Sequence, residues 1–199
     1  MTTAAPAPRA AAAKYAFKKG IPFPFISQPS PDIPKDLPTG LAGEYRLRRC
    51  MRSRSVGVNP SAHAGLGLGM YSQVTSPLRR YSDLIAHQQL RSYLNGNPVL
   101  DKDTMLERIS AGDAAMGASI KAERSTRLHW TLVYLLQNPE WQGKGIVVEL
   151  RGKQAVILIP ELGQETVIVP KASLELNAEI TLKAGNINLP ELEVNFIEV

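Results

Sequence analysis

The 199-residue sequence predicts an α+β fold in two parts, a mainly helical stretch over 10–141 and a small all-β module over 142–199. Three observations predict it. Helix-like segments with glycine and proline stops fill the first part. Five short β-like runs follow one another after "NPEWQG". Charge divides at the same place: 18 basic and 10 acidic residues precede Gln142, whereas five basic and eight acidic ones follow it.

Taken in order, residues 1–9 are rich in Ala, Pro and Thr and predict a disordered tail. A short helix is expected from about Ala10 to Lys19, stopped by Gly20. "IPFPFISQPSPDIPKDLPTG" is crowded with proline and predicts an extended, irregular connection. A second helix fits Leu41 to Ser53. In "VGVNPSAHAGLGLGMYSQV" the glycines predict a short strand or tight loop pressed against another backbone. The segment lacks a Gly-Lys-Ser/Thr ending, so a nucleotide phosphate loop is not supported. Ser76 as N-cap and Pro77 as first residue predict a helix to about Leu94, ended by "NGNP".

A long helix is expected after Asp103, running to Gln137, with "DKD" as its capping segment. Its 3.6-residue stripe of Ile109, Asp113, Met116, Ile120, Glu123, Arg127, Trp130 and Tyr134 reads as the core-facing side, Glu123 being the exception. "KGIVVELR", "QAVILIP", "ETVIVP", "AEITLKA" and "ELEVNFIEV" then read as strands separated by Gly, Pro or Asn. Five short strands in so few residues predict a five-stranded OB-like β-barrel. That module is acidic, and Phe196 is its only aromatic beyond Trp141. Single-strand binding by such barrels needs cationic grooves and exposed aromatics, so a packing or channel-forming role is expected instead.

No apolar run approaches a membrane span, and the N-terminus lacks the basic start and apolar stretch of a secretory signal. Cys50 is the only cysteine, which excludes an internal disulfide and fits a reducing, cytoplasmic setting. Three scattered histidines with one cysteine make no zinc site. "YRLRRCMRSRS" places five arginines between Arg46 and Arg54. Such a density fits a polyanion-binding face, with Arg48 and Arg52 as candidates, or a solvated basic helix.

"TSPLRRYSD" poses a sharper problem. Arg79 and Arg80 fall where the positive end of a helix dipole is expected, at a cost of roughly 0.3–1 kcal/mol each. An external anion would reverse that cost. The plainer alternative pairs Arg79 with Asp83 at i+4, worth about 0.3–0.5 kcal/mol. Glu123 likewise has a plain partner in Arg127 at i+4, and Tyr81 reads as core.

At "YSQVTSPLRRYSDLIAHQQL" the sequence resembles the signature of the ribonuclease II / ribonuclease R (RNB) exoribonuclease family. "AAAAKYAFKKGIPFPFISQ", "NPSAHAGLGLGMYSQ" and "IKAERSTRLHWTLVYLL" resemble the segments that flank it in that family. The likeness covers about Ala10 to Val199 and implies the C-terminal part of an RNB catalytic domain followed by the barrel. It implies hydrolytic 3′→5′ release of nucleoside 5′-monophosphates from single-stranded RNA. It assigns Arg79 to the scissile phosphate, Arg80 and the Ser76 helix start to RNA, and Glu123 to a ribose hydroxyl near the 3′ end.

One departure stands out. The family holds divalent metal, expected to be Mg²⁺, with four aspartates spaced Asp-x-x-x-x-x-Asp-x-Asp-Asp. The aspartates here are Asp32, Asp36, Asp83, Asp101, Asp103 and Asp113, none so arranged, so no metal ligand is assigned. The expectation is a truncated or split coding sequence, an N-terminal catalytic half or subunit that supplies the aspartates, or a degenerate relative. Alone, the chain is then expected to be inactive. The alternative function is a non-catalytic RNA-binding or regulatory module.

Overall fold

The computed structural model describes residues 7–199. Residues 1–6 of the expected tail lie outside them, and its last three are helical. Helix α1 spans Ala7–Lys18, α2 Gly40–Cys50, α3 Tyr81–Leu94 and α4 Lys102–Gln137. Strands β1 (Phe25–Ser27) and β2 (Ser55–Gly57) precede α3, and β3 to β7 follow α4. The chain forms two compact units, Met1–Asp32 with Met51–Ala118, and Ile33–Cys50 with Ser119–Val199. The compositional break at Gln142 is not where these units divide, because α2 and the second half of α4 belong with the barrel.

In the first unit, Ala13 and Ala16 of α1 are fully buried with Ile21, Phe23, Phe25 and Ala86 of α3. The alanines let the neighbouring chain approach closely. Gly20 ends α1 in the left-handed region at φ 65°, where its N–H donates to Phe17 O and that of Ile21 to Ala16 O. A side chain at that φ would be strained, which is why glycine stands there. The β1–β2 pair is antiparallel, with Ile26 opposite Val56. Val58, Ile85, Met105 and Ile109 form a second small core. Buried Gln89 of α3 donates to Pro22 O and Leu100 O and accepts from Leu100 N–H, tying two loops to one helix.

In the second unit, β3 (Gln142–Arg151), β4 (Gln154–Ile159), β5 (Gln164–Ile168), β6 (Glu179–Asn188) and β7 (Glu193–Glu198) form one antiparallel sheet in the order β5-β4-β3-β6-β7. It curls into the nearly closed five-stranded barrel expected from the sequence, with bulges at Val147/Glu149 and Ala184/Ile187 to bend it. Alternation sends Ala155, Ile157 and Ile159 inward to Val147, Leu182 and Phe196. Trp141 and Phe196 meet edge-on at 5.8 Å inside, so neither is a surface platform. The outward Val156, with Val148, is covered by Tyr45 of α2.

Helix α4 corrects one expectation. Its core face is Leu132 and Leu135, fully buried against the barrel, with Leu128 packed beside them. Of the expected core stripe, Ile109 is buried, but Ile120, Trp130 and Tyr134 are exposed. Trp130 precedes Leu132 by two positions, which puts it about 200° around the helix from that leucine, on the side away from the barrel core.

Candidate functional site

The segment Ser76–Arg80 is a turn, not a helix start. Arg79 N–H and Arg80 N–H both donate to Ser76 O, at 3.2 and 3.1 Å. Helix α3 begins only at Tyr81, with Arg80 in extended backbone as its N-cap (φ −129°, ψ 115°). Ser76 and Pro77 are therefore not the cap and first residue expected. The reason is Asp83, at the third helical position and wholly buried. Its carboxylate accepts the Ser76 N–H at 2.8 Å and two bonds from Arg80, Nε at 3.0 Å and Nη2 at 2.8 Å. A carboxylate in the first turn gains from the helix dipole and answers the positive charge of Arg80 from within.

That arrangement sorts the two arginines. Arg80, half-buried, is neutralised by Asp83 and also donates to Thr75 Oγ1 at 3.3 Å. Arg79 is exposed, and its guanidinium forms no hydrogen bond or ion pair among the described residues. Beside it Leu78 is fully exposed, and Tyr81, expected in the core, is 41% exposed and lies over Gly112. A Cβ at Gly112 would come within 2.7 Å of that ring. Arg9 of α1 reaches the same turn, donating to Thr75 Oγ1 at 3.0 and 3.2 Å and to Tyr71 Oη at 3.2 Å. His87 donates to Val74 O at 2.6 Å and His63 sits edge-on to Tyr71, so both brace the loop from behind.

Other candidates lie elsewhere. Arg52, in the same unit, is exposed, and its carbonyl accepts from Gln28 Nε2. Arg48, in the second unit, is engaged: it forms a close ion pair with Glu165, to which Tyr45 Oη also donates. Glu123 is paired with Arg127 at 2.8 Å on the exposed face of α4. The basic run Arg46–Arg54 is thus partly answered by barrel carboxylates.

The RNB domain model matches residues 39–96, a span that contains the turn and its buried aspartate. An uncharacterized ribonuclease of Synechocystis sp. is 36% identical over 198 residues, covering 94% of this chain and 30% of that one. The chain belongs to the RNB family. Solved structures agree on the fold. The Dss1 exoribonuclease of Candida glabrata, as an active-site mutant, superposes with a TM-score of 0.79 at 19% identity, over 96% of this chain and 27% of that one. Mycoplasma genitalium RNase R in complex with ribose-methylated single-stranded RNA gives 0.73 at 15% identity, over 96% and 40%. This RNB-family chain therefore spans less than a third of the length of the Synechocystis relative.

Among the described residues of the RNB chain, no group of three His, Cys, Asp or Glu side chains could hold a metal ion. Asp83 is committed to Arg80 and Ser76, and Asp101 caps α4 through the Thr104 N–H at 2.8 Å, which holds its carboxyl below the ordinary range. Two residues that hold the turn carry little signal in the sequence. Asp83 was legible only as a partner of Arg79 at i+4, although Arg80 stands at the i+3 distance that a first-turn carboxylate can reach back across. Arg9 carried no signal, because its contacts to Thr75 and Tyr71 lie more than 60 positions away.

No helix among the described residues is long and apolar enough to cross a membrane.

Proposed function

We propose that this RNB-family chain supplies the RNA-gripping side of a hydrolytic 3′→5′ exoribonuclease that releases nucleoside 5′-monophosphates from single-stranded RNA in the cytoplasm. The observation that carries the reading is Arg79: an exposed, unanswered guanidinium beside a second arginine whose charge is consumed by a buried carboxylate. A guanidinium bonds two phosphate oxygens at once through its planar fork. With Arg80 fixed by Asp83, the turn holds its backbone in place while Arg79 remains available to the scissile phosphate. Removing a comparable transition-state donor costs about 3–4 kcal/mol. The similar proteins named ribonuclease and exoribonuclease, and the RNase R bound to single-stranded RNA, support the same reading.

Glu123 fits a second contact. Its pair with Arg127 is exposed on both sides, 69% and 66%. Exposed i,i+4 pairs contribute only about 0.3–0.5 kcal/mol, so a ribose 2′-hydroxyl can take the carboxylate without a large loss. Arg52 and Arg48 are each open to a phosphate, Arg48 less so for its bond to Glu165.

Hydrolysis itself needs what these residues do not provide. Mg²⁺ in the family supplies charge neutralisation and a nucleophilic water. Its ligands are expected from an aspartate-bearing N-terminal half or subunit, and the chain alone is expected to bind RNA without cleaving it.

The test has two parts. Binding of labelled single-stranded RNA should weaken with salt, and Arg79→Ala should reduce the log–log slope by about 0.7, the loss of one phosphate contact. Joined to an aspartate-bearing N-terminal half, the chain should release nucleoside monophosphates with Mg²⁺, and Arg79→Ala should abolish that release. Salt-independent binding defeats the RNA reading, and a folded, joined protein inert on single-stranded RNA defeats the enzymatic one.

A further inference from the structure

A cleft of 450 Å³ opens within the second unit, between α2 and the strand β3. Its size falls in the range of small-molecule sites. The floor is apolar, with buried Val148 at its base and Leu150 and Leu176 as walls that remain 46% and 37% exposed. Two cations, Arg46 and Arg49, stand in its lining. Neither has a close carboxylate. Arg46 approaches Asp36 only at 3.8 Å, and also its carbonyl at 3.5 Å, while Arg49 approaches Glu149 at 3.9 Å.

Glu149 is the acidic group facing the cleft, and Arg151 takes it at 2.6 Å. Arg49 is instead steered by a neutral acceptor, the Tyr45 hydroxyl at 3.1 Å. The contrast with Arg48, held tightly by Glu165 one position away, is a contrast within a single helix. The cleft therefore combines an apolar slot with two guanidiniums whose carboxylate partners stand only at 3.8 and 3.9 Å.

We infer that this cleft is a binding site for a small anion carrying a flat apolar body, specifically a nucleoside 5′-monophosphate, with the base against Leu150 and Leu176 and the phosphate on Arg46 and Arg49. The slot excludes a bare phosphate as the best ligand, because nothing would then cover the leucines. The guanidiniums disfavour a neutral nucleoside, because their long contacts to Asp36 and Glu149 leave room for a closer anion. The choice of a nucleotide among such anions rests on the proposed ribonuclease reading, whose product it would be. The cleft itself does not depend on Arg79.

Cys50, the only cysteine in the chain, lines the cleft and reports its occupancy. The experiment follows the rate of Cys50 alkylation by iodoacetamide in the full chain, with adenosine or uridine 5′-monophosphate as probe at constant ionic strength. At a nucleotide concentration ten times its dissociation constant, the rate should fall about tenfold. Equal concentrations of the free nucleoside or of inorganic phosphate should protect far less. Arg46→Gln should weaken protection, and Leu176→Asp, at an exposed wall, should do so through repulsion. Folding of both variants is checked by circular dichroism.

Protection by phosphate alone equal to that by the nucleotide overturns the inference, as does the absence of nucleotide protection up to solubility. Undiminished protection in a folded Leu176→Asp chain overturns it too. Loss of RNA binding or of nuclease activity leaves this readout untouched, so the two readings fail separately.

Discussion

Arg80 and Asp83 form a two-point ion pair, at 3.0 and 2.8 Å, around a carboxylate with no solvent exposure. The same carboxylate holds the Ser76 N–H, so one side chain ties the start of the turn to the first turn of α3. Removing one partner of such a buried pair strands the other's charge, at about 3–5 kcal/mol. Asp83→Asn should therefore destabilise the chain by that order in urea unfolding. Arg79→Ala should stay within about 0.5 kcal/mol of the parent, as expected for an exposed residue without partners. Equal losses from the two substitutions would mean that Arg79 is structural after all.

A long-range device anchors α2. Asn177, in the loop before β6, accepts the Ala42 N–H at 2.9 Å and donates to Thr39 O at 2.9 Å. It thereby caps a helix 135 positions earlier in the sequence. Asn177 is itself in the left-handed region, at φ 66°. Two substitutions separate these roles. Asn177→Gly keeps the backbone relaxed and should lose only the cap, worth about 0.5–2 kcal/mol. Asn177→Ala should lose the cap and add a left-handed penalty of about 1–2 kcal/mol. Thermal unfolding should rank the chains parent, Gly, Ala. Alanine at or above glycine would contradict the backbone assignment.

The His63 ring predicts a dependence on pH. Burial pushes its imidazole below the ordinary 6.5, and the nearby positive charge of Arg54 acts in the same direction. Its Nδ1 is buried without a hydrogen-bond partner among the described residues. The folded chain thus binds a proton at His63 less readily than the unfolded chain. The stability this confers is complete above the unfolded value of 6.5 and shrinks as pH falls from there toward the folded-state value. His63→Phe keeps a ring against Tyr71, 5.1 Å away in the parent, and removes the titration. Urea midpoints measured between about pH 7 and pH 5 should fall less in His63→Phe than in the parent. Parallel curves would remove His63 as the cause.

Features set by local chemistry were legible in the sequence. The five strand runs, the Gly20 stop and the Asp101 cap each depend on residues within a few positions, and each occurs where those residues stand. Features decided by distant partners were not. Ser76-Pro77 has good helix-start chemistry, but a buried Asp83 claims the Ser76 N–H and delays the helix to Tyr81. The basic run fits a polyanion-binding face or a solvated helix by sequence alone, yet Arg48 is tied to Glu165, 117 positions on. The long helix presents apolar residues on more than one side, and periodicity alone does not say which side the barrel covers.

That last ambiguity yields a direct comparison on α4. Leu132 is fully buried in the barrel core beside Leu135, whereas Trp130, two residues earlier, is 63% exposed and touches His129 edge-on. Truncating a fully buried leucine removes its transfer energy and leaves a cavity, for a total of about 2–5 kcal/mol. Leu132→Ala should therefore lower stability by that amount in denaturant unfolding. Trp130→Ala removes the larger side chain, but from an exposed face of the helix. It should cost no more than about 0.5–1 kcal/mol, mostly from its ring contact with His129. A loss at Trp130 matching that at Leu132 would put the tryptophan in a core, and would restore the stripe through Ile120, Trp130 and Tyr134 as the buried face of the helix.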